Sequence, residues 1–156
     1  MAAFSDFLEN KLIDFLFRGQ ALGITGASAG AGSGPTALFV GLFTANPSDT
    51  GGGTEVTGGS YARVSIASAL ANWAGTQTAG STAASSGTSG TTSNNGSITF
   101  PAPTADWGVI TGFGIYDASS AGNLLVYGAL SANKTVNNGD AAPIFSAAAL
   151  SIQVDN

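Results

Sequence analysis

The sequence predicts a mainly β fold, built as an antiparallel β-sandwich with one α-helix at the N-terminus. From Thr36 onward, short runs of β-branched, aromatic and aliphatic residues recur along the chain. Turn signals rich in Gly, Asn and Pro separate these runs, as in NPSD at 46–49 and NNGD at 137–140. No helical pattern lies between the runs, so parallel βαβ units are disfavoured and an antiparallel arrangement is expected.

The N-terminal helix is predicted from residue 5 to about residue 18, a segment without Gly or Pro. Ser5 stands at the capping position, and Asp6 and Glu9 lie near the positive end of the helix dipole. Gly19 is expected to end the helix. Four of the nine Phe residues of the chain lie in its first 17 positions. This concentration leaves two interpretations open: the helix packs on its own domain, or it is an arm that docks on a neighbouring subunit.

The predicted organisation has three parts: a helical arm at 1–19, a flexible connection at 20–35 and a β-sandwich domain at 36–156. Residues 75–96 have a low-complexity composition of Ser, Thr and Gly, which predicts a long exposed loop that supplies nothing to the core. The strands are predicted at 37–43, 61–67, 97–100, 109–118, 123–130, 134–136 and 150–154.

The composition excludes many familiar kinds of site. The 156 residues include no Cys and no His, which rules out thiolate nucleophiles, zinc sites of the Cys/His kind and His-dependent triads. The chain has four basic residues against nine acidic ones, and the basic residues are scattered singly, so contact with nucleic acid is not expected. No apolar run approaches the roughly 18 residues of a membrane-spanning helix. We therefore expect no cofactor, no metal, no nucleic-acid partner and no membrane partner.

The carboxylates are the remaining candidates for acid–base chemistry or metal binding. Asp106 beside Trp107 hints at a carbohydrate platform, since an indole can stack on a sugar, but a turn Asp followed by a core aromatic explains the pair as well. The segment from Asn46 to Glu55 offers oxygen ligands for calcium without the spacing of a calcium loop. A Ser or Thr nucleophile would have no His to serve as its base. The chain is therefore expected not to be an enzyme and to have no catalytic residues.

Four segments of the chain resemble a group of small tailed-phage proteins, whose members are commonly described as tail fibre proteins. The most specific patterns are EV-x-GG-x-YARV, ending at Val64, and ADWG-x-I-x-x-x-GI-x-D, ending at Asp117. The connection at 20–35 and the loop at 75–96 look longer than the family pattern. The segments are LENKLIDFLFRG at 8–19, LFVGLFTANPSDTGGGTEVTGGSYARV at 38–64, ITFPAPTADWGVITGFGIYDASSAGNLLVYGAL at 98–130 and KTVNNGD at 134–140.

This resemblance implies a jelly-roll fold and a place in the virion as a capsid cement, or decoration, protein. Such a protein would be made in the host cytoplasm, would bind the major capsid protein on the outer surface of the phage head, and would associate with itself as a dimer or trimer. Low charge and long uncharged loops suit such repeated lattice contacts. The alternative is a tail-associated or tail-fibre module that binds a receptor through the Ser/Thr/Gly loop and Trp73.

The residues expected to contact a partner are the aromatic side chains Phe4, Phe7, Phe15, Phe17 and Trp73. Trp73 precedes the low-complexity loop and could anchor that loop either on its own domain or on a partner. The matched patterns themselves are expected to define the fold. Arg63 is expected to pair with a carboxylate such as Asp117 or Glu55, and Trp107 is expected to fill the sandwich.

Overall fold

A computed structural model describes residues 4–23, 34–75 and 80–154 of the chain. It confirms a mainly β fold with one N-terminal helix, and every strand pair whose register is defined is antiparallel. The elements are α1 (Asp6–Leu16), β1 (Ala37–Ala45), β2 (Thr54–Glu55), β3 (Val64–Ala67), β4 (Thr91–Ser93), β5 (Ile98–Thr99), β6 (Gly108–Tyr116), β7 (Leu124–Val136), β8 (Ile144–Phe145) and β9 (Ser151–Gln153).

The largest sheet has five strands in the order β2-β1-β6-β7, and β3 also pairs with β1. Two further sheets have two strands each, β4 with β9 and β5 with β8. The sequence predicts β1, β6 and β7 well because these strands carry long apolar runs. It divides β7 into two strands, although the strand continues through residues 131–133, which carry no large apolar side chain. It misses β2 and β8, which have only two residues each and therefore carry no periodic signal.

Chain contacts divide the protein into two units. The first contains the described residues up to Ala37, together with Ala67–Ile98 and the described residues from Phe145 onward. The second contains Leu38–Ile66 and Thr99–Ile144. Most of the predicted connection, residues 24–33, lies outside the described residues, so the division into arm, connection and β domain stays a prediction.

In the second unit, β1 and β6 form the centre of the five-stranded sheet. One face of this pair is made by buried aliphatic residues, with Val40 opposite Ile115 in the register. On the other face, Gly41 lies opposite Gly114. A β-carbon added to Gly41 would lie 2.8 Å from the Glu55 Oε1 atom and 3.0 Å from the Tyr61 hydroxyl oxygen. Gly41 therefore leaves room for polar side chains directly on the sheet, whereas the space over Gly114 is filled by Leu124, Phe43 and Tyr116.

Strand β7 is at the edge of this sheet and shows two common protections against pairing with another chain. Four residues of β7 lie between Ala129 and Lys134, whereas a single residue lies between their partners Gly112 and Ile110 on β6. This bulge and the lysine that follows it both disfavour edge-to-edge association.

In the first unit, α1 ends at Leu16, two residues before the predicted end. The Ser5 carbonyl accepts hydrogen bonds from the N–H groups of Leu8 and Glu9, so Ser5 is the N-cap residue, although its side chain makes no capping bond. Gly19, in the left-handed conformation with φ +66°, follows the helix. Ile13 and Phe17 are buried in this unit, which supports the first of the two interpretations of the helix.

The low-complexity segment was predicted to stay out of the core, and this is wrong for its C-terminal part. Thr92, Ser93 and Asn94 are buried, and β4 pairs here with β9. Composition misled because these polar side chains form hydrogen bonds inside the unit, as when the Thr92 hydroxyl donates to the Ala74 carbonyl at 2.7 Å. Residues 76–79 of the same segment lie outside the described residues.

Asn94 is the central hydrogen-bonding residue of this buried polar segment. Its amide group donates to the carbonyls of Gly96 and Ser146 at 2.7 and 2.8 Å, and its Oδ1 atom accepts from the Leu150 N–H at 2.9 Å. One side chain thereby satisfies three backbone groups from three places in the chain.

We predict that Asn94→Ala lowers the free energy of unfolding by about 2–3 kcal/mol, since buried backbone groups lose their partners. Chemical denaturation measures the change. Asn138→Ala, at an exposed position, is the matched control and should change stability by less than about 0.5 kcal/mol. Equal stability of the two variants would contradict the assigned role of Asn94.

We also predict that Gly41→Ala destabilises the protein by about 1–3 kcal/mol, because the added methyl group meets Glu55 and Tyr61 on a crowded face. Gly96→Ala is the control, since a β-carbon at Gly96 meets no atom within 4 Å. If Gly41→Ala proves as stable as Gly96→Ala, the face over Gly41 is less tightly packed than described.

Candidate interaction surface

The N-terminal end of α1, with Phe7 in its first turn and Phe4 just before the helix, presents two of the five predicted contact residues to solvent. Phe4 is 58% exposed and Phe7 is 57% exposed, so both are available to a partner. The Lys11 ammonium lies 5.8 Å from the centre of the Phe7 ring and holds a positive charge beside this apolar surface. Phe15, further along the helix, is half-buried.

Two other predicted contact residues, Phe17 and Trp73, belong to the core. Both are buried, with Trp73 0% exposed, and their ring centres are 5.1 Å apart in an edge-to-face arrangement. The assignment of these two residues to a partner surface is therefore corrected. Of the two alternatives for Trp73, the structure supports the one in which it anchors the chain on its own domain.

Next to this aromatic pair, a buried arginine organises the low-complexity segment. The Arg18 guanidinium pairs with the Asp14 carboxylate at 2.5 Å and also donates to the carbonyls of Trp73 and Ala83. Asp14 in turn accepts the Ser85 N–H through both of its oxygens, at 3.0 and 3.1 Å. The helix thus fixes part of a segment that has almost no apolar side chains of its own.

In the second unit, residues of the EV-x-GG-x-YARV pattern contact one another around an ion pair between Arg63 and Glu55. Two parallel hydrogen bonds of 2.8 and 2.7 Å join the guanidinium to the carboxylate, which confirms Glu55 as one of the two predicted partners. The Tyr61 hydroxyl donates to Glu55 at 2.9 Å and accepts from the Leu42 N–H at 2.8 Å. Arg63 also stacks on the Tyr116 ring, 3.3 Å from its centre.

This environment shifts the pKa values of the groups around Arg63. Burial, the largest cause, raises the pKa of Tyr61, and the nearby Glu55 charge adds to the increase. Burial also raises the pKa of Tyr116. The hydrogen bonds with Glu55 raise the pKa of Arg63. The cluster therefore favours neutral tyrosines and a charged arginine.

The other candidate carboxylates have local structural roles. Asp106 accepts the Asn138 N–H at 2.8 Å, and its neighbour Trp107 is buried and edge-on to Tyr61, as expected for a core aromatic rather than an open sugar platform. Asp117 accepts two hydrogen bonds from Asn123, which lower the pKa of Asp117. Within the described residues, no three acidic side chains are grouped as a metal site would require.

A cleft of about 590 Å³ lies on the second unit, between the loop that follows β1 and the start of β7. Asp49 belongs to its lining, and this carboxylate accepts a hydrogen bond from the Tyr127 hydroxyl, which raises the pKa of Tyr127. Leu125 and Tyr116 contribute apolar surface. Sequence reasoning considered Asp49 as a possible calcium ligand but missed its contact with Tyr127, because the two residues are 78 positions apart.

The raised pKa of Tyr61 predicts a loss of stability in alkaline solution. A proton that leaves the unfolded chain near its ordinary pKa of about 10 leaves the folded chain only at higher pH. Stability from this group is therefore present below pH 10 and falls as the pH rises, by at most about 1.4 kcal/mol per pH unit. Denaturation between pH 9 and 11.5 should show this decline, and Tyr61→Phe should make it less steep.

The control for this experiment is Tyr127→Phe, which removes an exposed tyrosine with a raised pKa. It should reduce the alkaline decline less than Tyr61→Phe does, because solvent screens the exposed group. Identical slopes for the original protein and Tyr61→Phe would show that Tyr61 does not control the alkaline response.

Comparison with known proteins identifies the family of the chain. Within the described residues, no helix has the length and the apolar character needed to cross a membrane. No curated protein matches the chain. A family model described as Podophage GP4 fiber I protein gp80 matches residues 3–153, nearly the whole sequence. The chain therefore belongs to this family of bacteriophage structural proteins and is associated with the virion.

Proposed function

We propose that the chain is a non-enzymatic subunit of a tailed-phage fibre that attaches to other virion proteins through uncharged and apolar contacts. The single observation that carries this proposal is the family match over residues 3–153, whose description names a fibre protein. Fibre assembly requires repeated binding surfaces rather than catalysis. The engagement of Asp14, Glu55, Asp106 and Asp117 in local bonds supports a structural role.

The surface proposed for attachment is the N-terminal end of α1, with Phe7 in its first turn and Phe4 just before the helix. Large exposed aromatic side chains supply much of the energy of protein interfaces when a partner covers them. The helix is anchored by the buried Ile13, so Phe7 is presented on a rigid support.

A second candidate is a capsid cement protein on the outer surface of the head, bound to the major capsid protein. The sequence resemblance to capsid cement proteins favours it, and so does the low content of charged residues, 8% of the chain. If the chain is a cement protein, we also expect it to have the jelly-roll topology of the capsid cement proteins. Both candidates need a self-associating virion protein, and they differ in where the protein lies.

The location is tested by separating virions into heads and tails and assigning added density in averaged cryo-images. Density on the tail supports the fibre proposal. Stoichiometric density on the head lattice, with co-sedimentation of the purified protein and bare shells, supports the cement candidate and overturns the fibre proposal.

We predict that Phe4→Ser combined with Phe7→Ser leaves the protein folded and reduces its incorporation into virions at least tenfold, in phage that lack the original gene and receive the variant. The loss follows from the missing apolar contact. Ile144→Ser is the control, since Ile144 is 55% exposed elsewhere on the protein. Normal incorporation of the double variant would exclude the N-terminal end of α1 as the attachment surface.

A further inference from the structure

The cleft between the loop after β1 and the start of β7 combines one carboxylate with aromatic and aliphatic walls. Asp49 is exposed, and within the described part of the chain only the Tyr127 hydroxyl bonds to its carboxylate. Tyr127 and Leu125 are 38% and 39% exposed, so their side chains are accessible beside that carboxylate. A bound group could therefore contact a negative charge and apolar surface together.

The charges around the cleft favour a cation. Asp49 and Asp117 are exposed carboxylates, and Arg63, which stacks on Tyr116 in the lining, is already neutralised by two hydrogen bonds to Glu55. Arg63 also donates to the carbonyls of Ala118 and Ala121, so its donors are in use. The site thus has an excess of negative charge, in a chain whose net charge is −5.

The chemical groups in the lining restrict which kind of cation can bind in the cleft. A metal ion is disfavoured because Asp49 is the one carboxylate in the lining, and within the described residues no three acidic side chains are grouped as metal ligands. An arginine side chain matches all the features: its guanidinium pairs with a carboxylate, its planar face stacks on a tyrosine ring, and its methylene groups pack on leucine. At about 590 Å³ the open cleft has room for such a side chain and adjacent backbone.

We propose that this cleft is the docking site for an arginine side chain of a partner virion protein, held by Asp49, Tyr127 and Leu125. The inference rests on the proposed structural function, since it names the chemistry by which a second protein is recognised. It adds a specific polar contact to the apolar attachment through α1. Asp49 sets the preference for positive charge, and Tyr127 both orients the Asp49 carboxylate and supplies the stacking face.

The test uses the isotope-labelled full-length protein and two small probes. N-acetyl-arginine amide should shift the backbone amide signals of Gly51, Gly52 and Leu125 with millimolar affinity. N-acetyl-citrulline amide, which has nearly the same shape without the charge, should bind at least fivefold more weakly. Asp49→Asn should weaken arginine binding at least fivefold, whereas Asp140→Asn, the matched control at an exposed turn, should leave it unchanged.

Two further variants test the role of Tyr127. Tyr127→Phe keeps the ring but loses the hydroxyl that orients Asp49, so it should weaken binding less than Tyr127→Leu, which also removes the stacking face. Equal affinity for the arginine and citrulline probes, unchanged binding by Asp49→Asn, or no signal change with millimolar arginine probe would overturn the inference. These binding experiments use the purified protein, whereas the tail or head location is determined on virions. A failure of the arginine proposal would therefore not decide the location of the protein.

Discussion

A pair of facing glycines determines how the second unit is built. Because Gly41 lacks a side chain, Glu55 and Tyr61 pack directly on the sheet, and Arg63 reaches Glu55 there. The space over its partner Gly114 is filled by Leu124, Phe43 and the Tyr116 ring on which Arg63 stacks. Arg63 then donates to the carbonyls of residues 118 and 121, in the turn between β6 and β7. That turn leads into the wall of the cleft. Loss of space at the glycine pair would therefore affect the ion pair, the turn and the cleft in succession.

The first unit uses a buried arginine for a comparable purpose. Residues 80–90 contain no large apolar side chain, so hydrophobic burial cannot fix their conformation. Arg18 and Asp14 instead bind backbone groups of Ala83 and Ser85, and Asn10 donates to the Gly87 carbonyl at 3.0 Å. A guanidinium suits the binding of backbone carbonyls because it has five N–H donors and no hydrogen-bond acceptor. Polar contacts to the backbone thus order a segment that its composition marks as a loop.

The parts of the fold that sequence predicts are those governed by local pattern. The apolar runs of β1 and β6 and the turn at Asn137 are recovered because each is encoded by neighbouring residues. Strand β4 is not recovered, since Thr92 and Asn94 are buried only by virtue of bonds to distant residues. Contacts between distant residues also decide which of the predicted contact residues are exposed and which are buried. Phe4 and Phe17 look alike in sequence, and only the tertiary position of Trp73 shows that Phe17 is internal.

The use of charge inside the protein determines what remains on its surface. Two of the four basic residues, Arg18 and Arg63, are spent in ion pairs with Asp14 and Glu55. Two lysines and seven carboxylates take no part in these two pairs, and of the seven Glu9 is buried, so the chain keeps its acidic character after internal pairing. Within the screening length, an acidic protein repels other acidic surfaces and attracts basic ones. In the proposed docking, apolar contact would supply affinity, while the exposed Asp49 would select a basic side chain.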